Sequence, residues 1–133
     1  MSKVLSILLM LIATAAIAAN TFAQEPARNS NDEPPSTGLA PKTENGIGRA
    51  DVRVRDEQGN PIKDAYVKLE STRTDGFFCE SWNNTDERGL AGLPPIHMGS
   101  LKLKIKAKGY HSVELEVPAD QLGDPVRVML KKK

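Results

Sequence analysis

Between residues 101 and 117 the chain alternates with a strict period of two. Leu101, Leu103, Ile105 and Ala107 fall on one side, and Lys102, Lys104, Lys106 and Lys108 on the other. Lys108-Gly109-Tyr110 then supplies a turn, after which Val113, Leu115 and Val117 alternate with Ser112, Glu114 and Glu116. Successive side chains of a strand point to opposite faces, so this pattern is that of a β-hairpin with one apolar and one charged face. The lysine row can pair with the glutamate row across the strands. An apolar face of this kind hides from water only by stacking on another sheet.

The rest of the chain supplies the partners for that stacking. Asp51-Val52-Arg53-Val54-Arg55 alternates as a half-buried strand, and Asp56-Glu57-Gln58-Gly59-Asn60-Pro61 closes it with a turn. Ala65, Val67 and Leu69 mark a second strand, Phe77 to Asn83 a third and Leu90 to Leu93 a fourth, stopped by Pro94-Pro95. Val126, Val128 and Leu130 form the last strand. These segments and the hairpin make about seven short strands, and no 3.6-residue apolar period persists beyond residue 23. The fold class expected is all-β, with two sheets packed face to face. No internal repeat is visible.

The N-terminal residues read as a targeting segment. Lys3 precedes an almost wholly apolar run from Val4 to Ala19, which is short of the ~20 residues a spanning helix needs. Small residues at Thr21 and Ala23 place cleavage after Ala23, so residues 1–23 are expected to be a signal peptide and the chain secreted or periplasmic. The alternative is an uncleaved anchor. Residues 24–48, rich in Pro, Ser, Asn and Glu, read as a flexible polar linker, and the folded domain is expected over 49–133. Charge is balanced, with 18 Lys+Arg against 17 Asp+Glu, so no strong field draws the chain to nucleic acid or to anionic lipid. The single Cys79 has no partner for an intramolecular disulfide. It is expected to be buried or to pair with another molecule.

The turn and strand motifs occur in a recognisable order. Gly59-Asn60-Pro61-Ile62 is followed by Ala65-Tyr66-Val67, Thr85-Asp86-Glu87-Arg88-Gly89, Leu93-Pro94, Ala107-Lys108-Gly109-Tyr110 and Val126-x-Val128-x-Leu130. In that order they resemble the carboxypeptidase regulatory-like domain over about Arg49 to Lys133. The resemblance implies a transthyretin-like, seven-stranded Greek-key β-sandwich. It also implies an accessory module without an active site of its own.

Catalytic constellations are lacking. His97 and His111 are the two histidines, and no H-x-x-E or H-E-x-x-H spacing surrounds them. With Tyr66 and Tyr110 they are similar in type to the iron-binding set of the intradiol dioxygenases. The close H-x-H pair of that family is missing, since the histidines lie fourteen apart. The Tyr-Arg-Gly-Ser tail of the transthyretin-like enzymes that hydrolyse 5-hydroxyisourate is also absent. No enzyme and no cofactor are expected.

Two surface features remain as a candidate binding surface. The row Lys102, Lys104, Lys106 and Lys108 fits an anionic glycan, or is a solvated face whose charges meet Glu114 and Glu116. Phe77, Phe78 and Trp82 form the aromatic cluster, suited to stacking on sugar rings or to closing the end of the core. The functional expectation is a non-enzymatic exported binding or adhesion module of the cell envelope, with carbohydrate as a ligand class suggested by analogy. The alternative is a structural accessory domain docking on a separate partner protein. The partner expected is an envelope glycan or a protein, with no nucleic acid and no stable membrane span after signal cleavage.

Overall fold

Val52, Val54, Val67, Leu69, Leu103 and Ile105 are almost completely removed from water, and the architecture follows from which strands carry them. The computed structural model describes residues 33–133, of which Ser36 to Lys133 form one compact unit. The expected signal peptide and the first part of the expected linker lie outside the described residues. Among the described residues no helix is long and apolar enough to cross a membrane.

The strands in chain order are β1 (Ile47–Gly48), β2 (Asp51–Asp56), β3 (Tyr66–Thr72), β4 (Phe78–Asn84), β5 (Leu90–Gly92), β6 (Ile96–His97), β7 (Ser100–Lys106), β8 (Val113–Val117) and β9 (Val126–Leu130). A single 3-10 turn, Ala119–Gln121, separates β8 from β9. One sheet has the order β4-β3-β7-β8, a second the order β5-β2-β9, and β1 pairs with β6 alone. The fold is all-β and sandwich-like. The count exceeds the seven strands expected because two two-residue strands, β1 and β6, pair with each other.

The alternation at 101–117 does what its period requires. Leu101, Leu103 and Ile105 are buried at 5%, 0% and 0% exposure, and they pack in one apolar cluster with Val67, Leu69, Val52, Val54, Val128 and Leu130. Each such side chain taken fully from water contributes roughly 1.5–3 kcal/mol. β7 and β8 are antiparallel, with Lys102 beside Glu116 and Lys104 beside Glu114. The charged row stops earlier than the sequence pattern suggests: β7 ends at Lys106, and Lys108 lies in the following turn.

Two features were not legible from alternation. β2 is buried at nearly every position rather than on one face. Its polar positions tolerate this because Arg53 and Asp51 neutralise each other across 3.2 Å at 3% and 5% side-chain exposure. Thr37 adds a backbone N–H to the Asp51 carboxylate at 3.0 Å. The second feature is the start of the compact unit. Within the stretch read as a linker, Leu39 bridges Arg49 through two backbone hydrogen bonds, and Ile47–Gly48 forms β1. These ties are backbone bonds, which apolar periodicity does not report.

Candidate functional site

β3 lies between β4 and β7, and its register fixes what the outer face of the four-stranded sheet presents. Tyr66 stands between Asn84 and Lys106, Lys68 between Trp82 and Lys104, Glu70 between Glu80 and Lys102, and Thr72 between Phe78 and Ser100. The face therefore carries four rows of polar and aromatic groups, while Val67, Leu69 and Ser71 point the other way into the interior.

Glu70, Thr72, Ser100 and Lys102 floor a depression of about 790 Å³ on this face, with Phe78, Glu116 and Pro118 among its walls. Gly99 makes the floor possible. A Cβ on Gly99 would sit 2.0 Å from the Thr72 carbonyl oxygen, so only glycine lets β7 begin this close to the end of β3. The Gly99 N–H donates to Ser71 Oγ at 2.8 Å, and Ser71 Oγ donates to the His97 carbonyl at 2.8 Å.

The charges on the face are largely spent on one another. Lys104 is paired with Glu70 and Lys102 with Glu114, at 2.5 and 3.3 Å. Lys68 meets Glu80 at 4.0 Å. The hydrogen bond from Lys104 holds the Glu70 carboxyl below the ordinary carboxylate value against opposing burial, and neighbouring lysines act in the same direction. Glu70 in turn raises Lys104. Both groups are thus charged across the neutral range, and the face is a mosaic rather than a basic patch.

The aromatic residues are at the surface and not in the end of the core. Phe77, Phe78 and Trp82 are 58%, 50% and 57% exposed. Trp82 packs beside Tyr66, with ring centroids 6.0 Å apart and planes tilted by 34°. Phe77 lies in the β3–β4 turn, its ring 5.7 Å from the Arg73 guanidinium carbon. The residues of the candidate binding surface therefore divide. Phe78 and Lys102 border the depression, Lys104 and Trp82 stand one row away, Lys106 lies at the far end of β7, and Phe77 and Lys108 sit in turns. The depression itself draws on Glu70, Thr72 and Ser100, which sequence reasoning passed over because isolated polar residues on a strand carry no motif.

The two histidines and two tyrosines do not converge. His97 lies at the Thr72 end of β3, where its carbonyl accepts from Ser71 and Cys79 and its Nδ1 is 3.0 Å from the Asn45 carbonyl. Tyr66 pairs with Lys106 at the other end. Tyr110 and His111 lie beyond that end, bonded to the final residues: the His111 N–H donates to the Lys131 carbonyl. The six steps of β3 that separate these ends span about 20 Å. These residues do not fit an iron centre of the two-histidine, two-tyrosine kind. Among the described residues no three His, Cys, Asp or Glu side chains gather as a metal site.

No family model matches the chain, and no curated protein matches it. Among solved structures it is similar to 3-chlorocatechol 1,2-dioxygenase from Rhodococcus opacus 1CP, with TM-score 0.49 and 14% identity over 64% of this chain and 60% of that one. It is similar also to hydroxyquinol 1,2-dioxygenase from Pseudomonas putida DLL-E4, with TM-score 0.52 and 13% identity over 80% of this chain and 65% of that one. The chain thus spans 60% and 65% of the length of these two structures. At 13% identity the likeness to the second is one of fold.

The second of these structures corrects the functional expectation. The non-enzymatic envelope binding or adhesion module, and the accessory docking domain held as its alternative, both took the sandwich as a module without an active site of its own. The hydroxyquinol 1,2-dioxygenase, which shares the fold, is itself an enzyme by its name.

Proposed function

We propose that the chain holds a small hydroxylated aromatic molecule in the depression across its four-stranded sheet and does no metal-dependent chemistry on it. The observation that carries this reading is the pairing of floor and wall. Glu70, Thr72, Ser100, Lys102 and Glu116 offer acceptors and donors within one depression, and the half-exposed Phe78 ring stands at its side. A depression of about 790 Å³ is within the range of roughly 300–1,000 Å³ usual for small-molecule sites. Glu70 and Lys102 each hold an opposite charge, which favours a ligand that is not a strong anion or cation, and an aromatic wall favours a ring offset-stacked on it. The separation of His97 from Tyr66, Tyr110 and His111 supports the metal-free half of the reading.

Three further readings belong to this proposal and rest on the sequence. The seven longer strands are a transthyretin-like Greek-key sandwich to which the β1–β6 pair has been added. The ordered turn motifs reflect kinship with the carboxypeptidase regulatory-like domain. Residues 1–23 direct export.

Catechol, the simplest ring with two adjacent hydroxyls, is the probe. Titration of the ¹⁵N-labelled chain is expected to give saturable amide shifts confined to Glu70–Thr72, Phe78 and Ser100–Lys102. Phe78→Ala, at a half-exposed position, weakens binding at least tenfold while the melting temperature holds. Shifts that scatter over the surface without saturating, or an F78A chain that binds as well as the parent, overturn the proposal.

A further inference from the structure

Five lysines collect at one end of the sandwich. β7 ends at Lys106, opposite Tyr66 at the start of β3. Lys108 stands in the turn that follows. β2 and β9 run parallel and stop together, Asp56 beside Leu130, so Lys131, Lys132 and Lys133 emerge from the other sheet. Backbone bonds clamp the two segments to each other. Tyr110 bridges Lys132, the His111 N–H donates to the Lys131 carbonyl at 2.8 Å, and the Lys133 N–H donates to the Gly109 carbonyl at 3.1 Å. Lys106, Lys108, Lys131, Lys132 and Lys133 are all exposed, with the half-buried Tyr110 among them.

The fold leaves this charge without counter-charge. On the outer face Lys104 takes Glu70 and Lys102 takes Glu114. β3 then offers Tyr66 where Lys106 needs an acid. The acids of the turn after β4 are engaged elsewhere, Asp86 with Arg88 at 3.1 Å and Glu87 with Lys63 at 3.9 Å. Lys132 lowers Asp56 through space, but the oxygens of Asp56 accept from Gln58 and Asn60. Glu57 and Asp64 are the further carboxylates in the turns at this end. Among the described residues none of the five lysines forms an ion pair. The near balance of 18 Lys+Arg against 17 Asp+Glu thus hides a local excess.

We propose that this end of the sandwich docks on the anionic headgroups of a phospholipid bilayer. Lysine ammoniums are point charges that demand no planar oxygen edge, which suits phosphodiesters free to move in a plane. Their long stems lie along the surface while the charged heads reach the phosphates, and a tyrosine ring is at home at that depth. The cluster caps one end and does not run along a face, a shape that fits a flat surface better than the length of a nucleic acid strand. Basic residues act on such a surface only within a Debye length, so the contact is peripheral and salt-sensitive. The Phe78 depression, with Thr72, Gly99 and Ser100, lies toward the other end of β3 and stays uncovered.

The test is lysine acetylation of the full chain, read by mass spectrometry, on vesicles of phosphatidylcholine alone and of phosphatidylcholine with phosphatidylglycerol. The apolar run Val4 to Ala19 meets either bilayer alike, so the difference between the two compositions isolates the lysine end. Phosphatidylglycerol is expected to slow acetylation of the five lysines at least fivefold, and added sodium chloride to restore it. Lys42 is the control. The Asn45 amide donates to Thr74 Oγ1 at 2.7 Å and places its loop beside the β3–β4 turn, at the far end, so its rate should hold. Removing one basic residue weakens such a contact about fivefold, so Lys108→Gln with Lys131→Gln lowers the phosphatidylglycerol-dependent affinity about twenty-fivefold. Lys42→Gln leaves it as in the parent. Equal acetylation on both compositions, or a K42Q loss equal to that of K108Q, overturns the docking surface. Inorganic phosphate or a DNA duplex that protects the five lysines better than the vesicles do overturns the bilayer as its occupant.

Discussion

Asp56 and Asp86, thirty residues apart, close the same turn in the same way. Asp56 Oδ1 accepts the N–H groups of Gln58 and Asn60, both at 2.9 Å. Asp86 Oδ1 accepts those of Arg88 and Leu90, at 2.8 and 3.1 Å. In each turn the fourth residue is a glycine with positive φ, 85° at Gly59 and 75° at Gly89. The glycine N–H returns to the aspartate carbonyl at 3.0 Å in both. The sequence carries the repeat as Asp-Glu-x-Gly at 56 and at 86, too short to stand out as one without the hydrogen bonds.

The pH dependence of stability follows from these two turns. The Asn60 N–H is the main cause that lowers Asp56. At Asp86 partial burial pushes up, and the N–H groups of Leu90 and Arg88 with the Arg88 side chain outweigh it. Both folded carboxyls therefore titrate below the ordinary value of 3.8. A carboxyl depressed on folding stabilises fully above its unfolded value, and the benefit disappears as pH falls through the folded one. Melting temperature is expected to change little with these groups at neutral pH and to drop below about pH 4. Asp56→Asn with Asp86→Asn should lower it at pH 7 and flatten the acid slope. An unaltered slope in the double variant would count against the turns as its source.

The glycines of two turns separate conformational strain from steric clash. Gly109 has φ 86° and open space where a Cβ would go. Gly89 has φ 75°, and its Cβ would lie 2.4 Å from the Val54 carbonyl oxygen. Gly109→Ala is expected to cost about 1–2 kcal/mol, the left-handed penalty alone. Gly89→Ala adds a clash with backbone, roughly 1–3 kcal/mol more. Urea unfolding of the two variants checks the order.

What could be read from sequence was local and periodic. Leu101, Leu103 and Ile105 announce their buried face by alternation, and Gly59 announces its turn beside Pro61. β4 reads poorly for a physical reason. Its inward positions face β5, β6 and the connector between them and not the apolar core, so they carry donors. Cys79 Sγ lies 3.3 Å from the His97 carbonyl, Ser81 Oγ 2.7 Å from that of Pro94, and Asn83 Nδ2 3.0 Å from that of Gly92. Small polar groups thus turn inward and Phe78 and Trp82 outward, the reverse of the usual signature. The parallel pairing of β2 with β9 joins residues more than seventy apart and leaves no local mark, so the Arg53–Arg127 neighbourhood was invisible. The Phe78 depression is likewise assembled from β3, β4, β7 and β8, with no contiguous motif.

Two buried serines measure how much the sandwich depends on such side-chain bonds. Ser71 is 0% exposed, and its hydroxyl serves both the Gly99 N–H and the His97 carbonyl. Ser81 is 4% exposed and serves the Pro94 carbonyl alone. Leaving a buried backbone group unsatisfied costs about 1–3 kcal/mol. Ser71→Ala strands the Gly99 N–H and leaves the His97 carbonyl only the weaker Cys79 thiol, whereas Ser81→Ala strands the Pro94 carbonyl alone, so S71A is expected to be the less stable variant by calorimetry. Equal melting temperatures would mean that water replaces the lost hydroxyl in both.

Trp82 is the one tryptophan in the chain, which makes its fluorescence a direct reading of the four-stranded sheet's outer face. At 57% exposure, with Tyr66 covering one side at 6.0 Å, the indole keeps contact with water. Emission is expected at the long wavelengths of a hydrated indole in the folded state, with ready quenching by acrylamide. Tyr66→Ala removes the ring that shields Trp82, and quenching should rise further while the strand register, set by backbone bonds on both sides of β3, persists. The direction of that change is diagnostic. A folded chain whose indole emits at short wavelength and resists acrylamide has its aromatic face covered, and the rows of residues assigned to the surface of β3, β4 and β7 would then be wrongly placed.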